Sequence, residues 1–219
     1  MTYRNLAISI ERNVVGGYRA TDNRSQVMGF GSSEAEALLE YYAAAVQANV
    51  FDADDLTPLL QRVKLLWPTD FKVYTQRFGE RPEFYAKFRL PGHEGVDIRA
   101  PFGAPVRACA RGVVTMAGWH PKRGRDHPYG FQVRIRHVFA DGEYETIYAH
   151  LREDSAVVKV GDEVHAGIQI ASADSTGNSS AAHLHLSLKK IGAKNGGYGE
   201  LIDPAPFFVD GPFTGQETG

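Results

Sequence analysis

His183-Leu184-His185 sets two imidazoles on one side of an alternating run. Between Gly177 and Leu188 the pattern is that of a β-strand. His183, His185 and Ser187 face one way, and Leu184, Leu186 and Leu188 face the other. The leucine face suits a core, so the histidine face presents two imidazoles on a rigid surface. Such a pair serves a transition metal or an acid–base couple. Upstream, Gly92-His93-Glu94-Gly95-Val96-Asp97 places a histidine and a carboxylate four residues apart, and Tyr148-Ala149-His150-Leu151 adds another imidazole. Zinc takes four ligands, imidazole and carboxylate among them, and a catalytic zinc leaves one position to water. Two histidines and one aspartate meet that rule and leave two histidines for proton traffic.

The His-x-x-x-Asp spacing alone says little, because it recurs as His93/Asp97, His137/Asp141 and His150/Asp154. Asp141-Gly142 reads as a hairpin turn. Asp154 follows Arg152-Glu153 and reads as a solvated loop residue. Around His93 and Asp97, Gly92 and Gly95 free the backbone. Glu94 does not fit the base of a helical His-Glu-x-x-His motif, because position 97 is Asp. His120, His127, His137 and His165 have no partner spacing that marks a site.

In this order and at these intervals, His93-x-x-x-Asp97, Tyr148-Ala149-His150-Leu151 and His183-Leu184-His185 resemble the lysostaphin-type (LytM-like) zinc endopeptidases, which cut peptidoglycan. Three flanking stretches resemble that family as well: Gly95 to Val106, Val160 to Ala171 and Ser175-Thr176-Gly177-Asn178-Ser179. The resemblance covers roughly residues 70–209. It implies a mainly β fold of twisted antiparallel sheets forming an open groove, with the metal on its floor. It implies His93, Asp97 and His185 as ligands of Zn2+. His150 and His183 then stand beside the reacting water, one as general base and the other holding the oxyanion or protonating the leaving amine; which does which stays open. Tyr85 and Asn195 are candidate substrate contacts by the same resemblance, and Tyr85 reads equally as part of an aromatic packing cluster. The implied substrate is a peptide of peptidoglycan stems or cross-bridges.

Two other functions stand beside this one. A non-catalytic peptidoglycan-binding or regulatory module on the same fold usually lacks one or more ligands, whereas all five residues are present. A lipoyl- or biotin-carrier domain needs a lysine at a hairpin tip, and no lysine has that setting.

The 24 basic and 26 acidic side chains give a net charge of −2, which does not suggest a nucleic-acid partner. Hydrophobic residues make up 43%, enough for a packed core. A single cysteine, Cys109, excludes an internal disulfide and reads as a small core residue. No stretch is long enough to span a membrane. Residues 1–12 have no apolar run of the secretory-signal kind. The expectation is a chain made in the cytoplasm that reaches the wall by phage-type or signal-independent release.

Three parts must position the site. Residues 1–67 read as a small α+β part of unknown role, residues 68–209 as the zinc peptidase domain, and residues 210–219 as a flexible tail. In the first part, Leu6–Ile10, Gly16–Ala20 and Gln26–Phe30 suggest short strands, Ala35–Ala48 a helix, and Leu56–Trp67 a second helix. From Phe71 the pattern is all-β, with strands expected at Val113–Ala117, Phe131–Val138, Tyr144–His150, Ala156–Val160, Ile168–Ala171 and Leu184–Leu188. Trp119 to Gly130 reads as a long, positively charged hairpin loop, either solvated or in contact with substrate through its charge and its two histidines.

Overall fold

The computed structural model describes residues 8–12, 18–22, 28–31 and 63–211. The chain divides into two compact units: residues 1–63 with 138–142, and residues 64–137 with 143–219. In the first, β1 (Ile8–Arg12), β2 (Tyr18–Asp22) and β3 (Met28–Gly31) form an antiparallel meander. The helix expected over 35–48 lies outside the described residues.

The second unit is built on strands whose alternation buries one face. They are β4 (Tyr74–Gln76), β5 (Val96–Ile98), β6 (Pro105–Arg107), β7 (Gly112–Gly118), β8 (Phe131–Phe139) and β9 (Gly142–Leu151). They continue with β10 (Glu163–Val164), β11 (Gln169–Ser172), β12 (Leu184–Lys190) and β13 (Leu201–Ile202). The main sheet runs β10-β7-β8-β9-β12-β5-β4, with β13 paired to β12, and β6 pairs with β11 in a second small sheet. The sheets are antiparallel and do not close, as expected of an open-groove fold.

The core lies under β5, β9 and β12. Val96, Ile98, Ile147, Leu184, Leu186 and Leu188 are all buried. Each such side chain stabilises the fold by roughly 1.5–3 kcal/mol. Cys109 is buried as expected. Its backbone N–H donates to the Tyr148 hydroxyl at 2.7 Å. That hydroxyl lies 3.2 Å from Thr146 Oγ1, which is 2.8 Å from His137 Nε2. His137 Nδ1–H donates to the Arg111 carbonyl at 2.7 Å. His137 is thus a core histidine with both ring nitrogens engaged.

Two expected elements differ. Ala156–Val160 is not a strand. Only Val157 N–H reaches β11, donating to Ile170 O at 3.0 Å, and Val157 and Val160 stay exposed. Residues 56–62 of the expected second helix lie outside the described residues, and residues 63–67 are extended. There the chain alternates, with Val63, Leu65 and Trp67 buried and Lys64 exposed. Leu65 N–H donates to Phe207 O at 2.9 Å and Val209 N–H to Leu65 O at 3.0 Å. The closing segment thus supplies the partner that an isolated helix would not need. At Asp210 the chain is still held: its carboxylate accepts from Trp67 N–H at 2.6 Å. Residues 212–219 of the expected tail lie outside the described residues.

Candidate metal centre and cleft

Asp97 and His185 face each other across two paired strands. β5 buries Val96 and Ile98, so Asp97 turns to the other face. In the β5–β12 register His185 stands directly opposite Asp97. The strands can pass this closely because residue 95 is glycine. A Cβ there would lie 2.4 Å from Leu186 O and 2.9 Å from His185 Nε2. His93 comes from the preceding loop, whose backbone is pinned at both ends: His93 N–H donates to Glu80 O at 3.1 Å, and Gly79 N–H to His93 O at 2.9 Å.

Ligand atoms of His93, Asp97 and His185 all lie within 4.8 Å of one another, the one such group of three among the described residues. His93 Nε2 is 3.2 Å and His185 Nδ1 2.9 Å from Asp97 Oδ1, and the two nitrogens are 3.0 Å apart. Bonds of ~2.0–2.2 Å in a tetrahedron require ligand atoms about 3.3–3.5 Å apart, close to this triangle. The ring nitrogens that face away are also engaged. His93 Nδ1–H donates to Arg77 O at 3.1 Å, and His185 Nε2 lies 2.8 Å from Ser187 Oγ. These contacts orient both rings so that lone pairs meet at one point. The donor set, two imidazoles and a carboxylate, fits Zn2+.

His183 and His150 flank the triad. His183 Nε2 is 3.4 Å from Asp97 Oδ1, while its Nδ1–H donates to Ala181 O at 2.8 Å. His150 lies tilted 4.8 Å from His183 and edge-on 5.8 Å from His185, centroid to centroid. Its Nδ1–H donates to Thr176 O at 2.7 Å, so Nε2 keeps a lone pair for the cleft. His150 has φ 58, a left-handed backbone that costs a non-glycine residue about 1–2 kcal/mol. The conformation is held from outside: His150 N–H donates to Tyr129 O at 2.9 Å, and Asp174 N–H to His150 O at 3.0 Å. Strain fixed this way is a mark of a functional position.

Electrostatics separates the groups. Burial pushes the Asp97 carboxyl up, but hydrogen bonds to His183, His185 and His93 outweigh it and hold it well below the usual carboxylate range. Burial pulls His150 down to about 3, with His185 and His183 adding to it. Burial likewise lowers His185, against Asp97. His183 is also pulled down by burial, yet its bond to Asp97 prevails and raises it. Glu94 is raised, burial being the main cause.

A cleft of about 530 Å³ opens over Glu94, Asp97, His150, His183 and His185. Tyr85 lines it, 5.5 Å from His93 between ring centroids, with its hydroxyl accepting from Gln76 Nε2 at 3.0 Å. Asn195 is not brought there: its Nδ2 donates to Leu201 O at 2.8 Å within its own turn. Sequence reasoning missed Tyr129. Its ring centroid is 5.2 Å from that of His185, and its hydroxyl lies 3.4 Å from Ser187 Oγ and 3.5 Å from Glu94 Oε2. Nothing in its neighbourhood along the chain signals this, because the contacts cross 35 and 58 residues.

The profile of Peptidase family M23 matches residues 91–204, just over half of the chain. The chain is 45% identical over 97 residues to the DD-carboxypeptidase/endopeptidase Mpg of Neisseria meningitidis, covering 44% of this chain and 20% of that protein. It is 36% identical over 126 residues to the glycyl-glycine endopeptidase ALE-1 of Staphylococcus capitis, covering 58% and 32%. The chain therefore spans a fifth to a third of the length of these curated relatives. The structure of the antimicrobial peptidase lysostaphin from Staphylococcus simulans superposes with a TM-score of 0.51 at 28% identity, over 68% of this chain and 54% of that one.

Proposed function

The chain belongs to peptidase family M23, and from that premise we propose that it is a zinc-dependent endopeptidase that hydrolyses peptide bonds in peptidoglycan stems or cross-bridges. The observation that carries the reading is the convergence of His93 Nε2, Asp97 Oδ1 and His185 Nδ1 at the floor of a cleft, with two further imidazoles beside them. The relatives named as endopeptidases support the substrate class. A binding module on this fold would not need His150 and His183 beside a complete ligand set.

His93, Asp97 and His185 would hold the zinc, which when bound polarises a peptide carbonyl and acidifies a water. His150 takes the proton from that water, because its Nε2 has a lone pair and its Nδ1–H is tied to Thr176 O. Such a base contributes typically ~10²–10⁴-fold. His183 keeps Nδ1–H on Ala181 O, and in its protonated form, which the bond to Asp97 favours, it carries a second N–H at Nε2 that serves the developing oxyanion. The proton held on His150 then passes to the leaving amine. Tyr85 lines the cleft beside His93 and contacts the bound peptide.

Digestion of purified peptidoglycan with the zinc-loaded protein tests the reaction class. New peptide amino termini, found by mass spectrometry of the released fragments, are expected. New reducing sugar ends without new amines would contradict the proposal.

A further inference from the structure

Beside the catalytic cleft lies a second cavity of about 320 Å³. The two share Glu94, Arg123, Pro128 and Tyr129 as a common wall. The far side is formed by Arg134, Ile147, Lys189 and Leu201, with His127 at the loop. Three permanent cations thus face the cavity, against one carboxylate, Glu94. His127 adds no charge near neutral pH, because burial and the stacked His120 hold it at about 4.

Two of the three cations make no close pair, although the Lys189 charge favours the ionised Glu94 carboxylate. The Lys189 ammonium and the Arg123 guanidinium have no hydrogen-bond or ion-pair partner among the described residues. Lys189 stands opposite Glu145 in the β9–β12 register, yet the Glu145 carboxylate turns to Thr115 Oγ1 at 3.0 Å and to Arg134 at 3.9 Å. Arg134 is further fixed by Gln132 Oε1 at 2.9 Å. A half-buried ammonium and an exposed guanidinium lining one cavity have a clear chemical complement, a carboxylate bound by charge-assisted hydrogen bonds.

Placement ties the cavity to the reaction. His185, Ser187 and Lys189 are on one face of β12, and four residues of strand span about 13 Å. An extended peptide held at the triad therefore delivers a side chain to Lys189 within a few residues of the bond being cut. We infer that this cavity is a specificity subsite for a free carboxylate carried by the peptide substrate, bound by Lys189 and Arg123. The inference rests on the endopeptidase reading.

The test uses cross-linked stem peptides released from peptidoglycan, with their free carboxylates intact or converted to carboxamides. Two quantities are read on the full-length, zinc-loaded protein: kcat/KM, and Kd in a His150→Ala background that holds peptide without turnover. The acid form is expected to be favoured about tenfold or more in both. That ratio is expected to collapse towards one in Lys189→Met and in Arg123→Met, and to return in Lys189→Arg. Equal constants for the two forms, or a preference that survives both methionine substitutions, would overturn the subsite. Cleavage without preference removes the subsite and leaves the endopeptidase. Preferential binding that Lys189→Met abolishes, without cleavage of either form, leaves the subsite and removes the endopeptidase.

Discussion

Asp97 organises the site because three imidazoles compete for one of its oxygens. His185, His93 and His183 approach Oδ1 at 2.9, 3.2 and 3.4 Å. Their own outward nitrogens decide their tasks. His93 and His185 are turned by Arg77 O and Ser187 Oγ, which in the proposed reaction leaves their lone pairs to the metal, whereas His150 and His183 are turned by Thr176 O and Ala181 O, which there leaves them to the substrate. Two outcomes follow at this scale. His150→Ala should keep its zinc while kcat falls ~10²–10⁴-fold, read by metal analysis and single-turnover cleavage. Ser187→Ala should weaken zinc binding by ~10–100-fold, read by competition with a chromogenic chelator. The shared face of His183 and His185 was legible in the sequence, because alternation alone puts them on one side of the strand. Tyr129 and its contact with Glu94 were not, because they depend on which distant loop meets β12.

At the scale of elements, the site needs β5 and β12 in contact and the loop 128–130 locked on residues 176–178. Gly95 permits the first. Gly95→Ala should force β12 outward and cost both zinc affinity and thermal stability, since backbone, Leu186 O, lies in the way at 2.4 Å. The second rests on Gly130 and Gly177, both at positive φ, where a Cβ on either would sit 2.4 Å from the other segment's backbone. Below these strands, His137 sets an acid limit. Burial holds its pKa at about 4, against about 6.5 in an unfolded chain. The unfolded chain therefore binds this proton first. The stability His137 contributes is complete above about pH 6.5 and is lost as pH falls towards 4. Urea unfolding of the wild type should show that loss, and His137→Gln should show a shallower one. Most strands were legible because their apolar residues alternate. Ala156–Val160 is rich in β-branched valine too, yet it finds only one backbone partner, a fact that pairing decides and propensity does not.

At the scale of the molecule, the peptidase part needs a few residues more than its motifs suggest. The expected boundary at 67/68 would cut away Leu65 and Trp67, which are buried and bonded to Phe207 O and the Asp210 carboxylate. A chain beginning at Val63 should therefore be more stable than one beginning at Pro68 by at least the ~3–5 kcal/mol typical of deleting a buried aromatic, measured by denaturant unfolding. The sequence did not mark this edge, because Leu56–Trp67 has helical spacing and its true partner lies some 140 residues away. The central claim, that one zinc at His93, Asp97 and His185 drives peptide hydrolysis, is tested most directly by zinc content and dye release from labelled peptidoglycan on the same samples of wild type and His185→Ala. One zinc per chain with release in the wild type, and both lost in the variant, is the predicted result. Release that persists in zinc-free protein, or in His185→Ala, would contradict it.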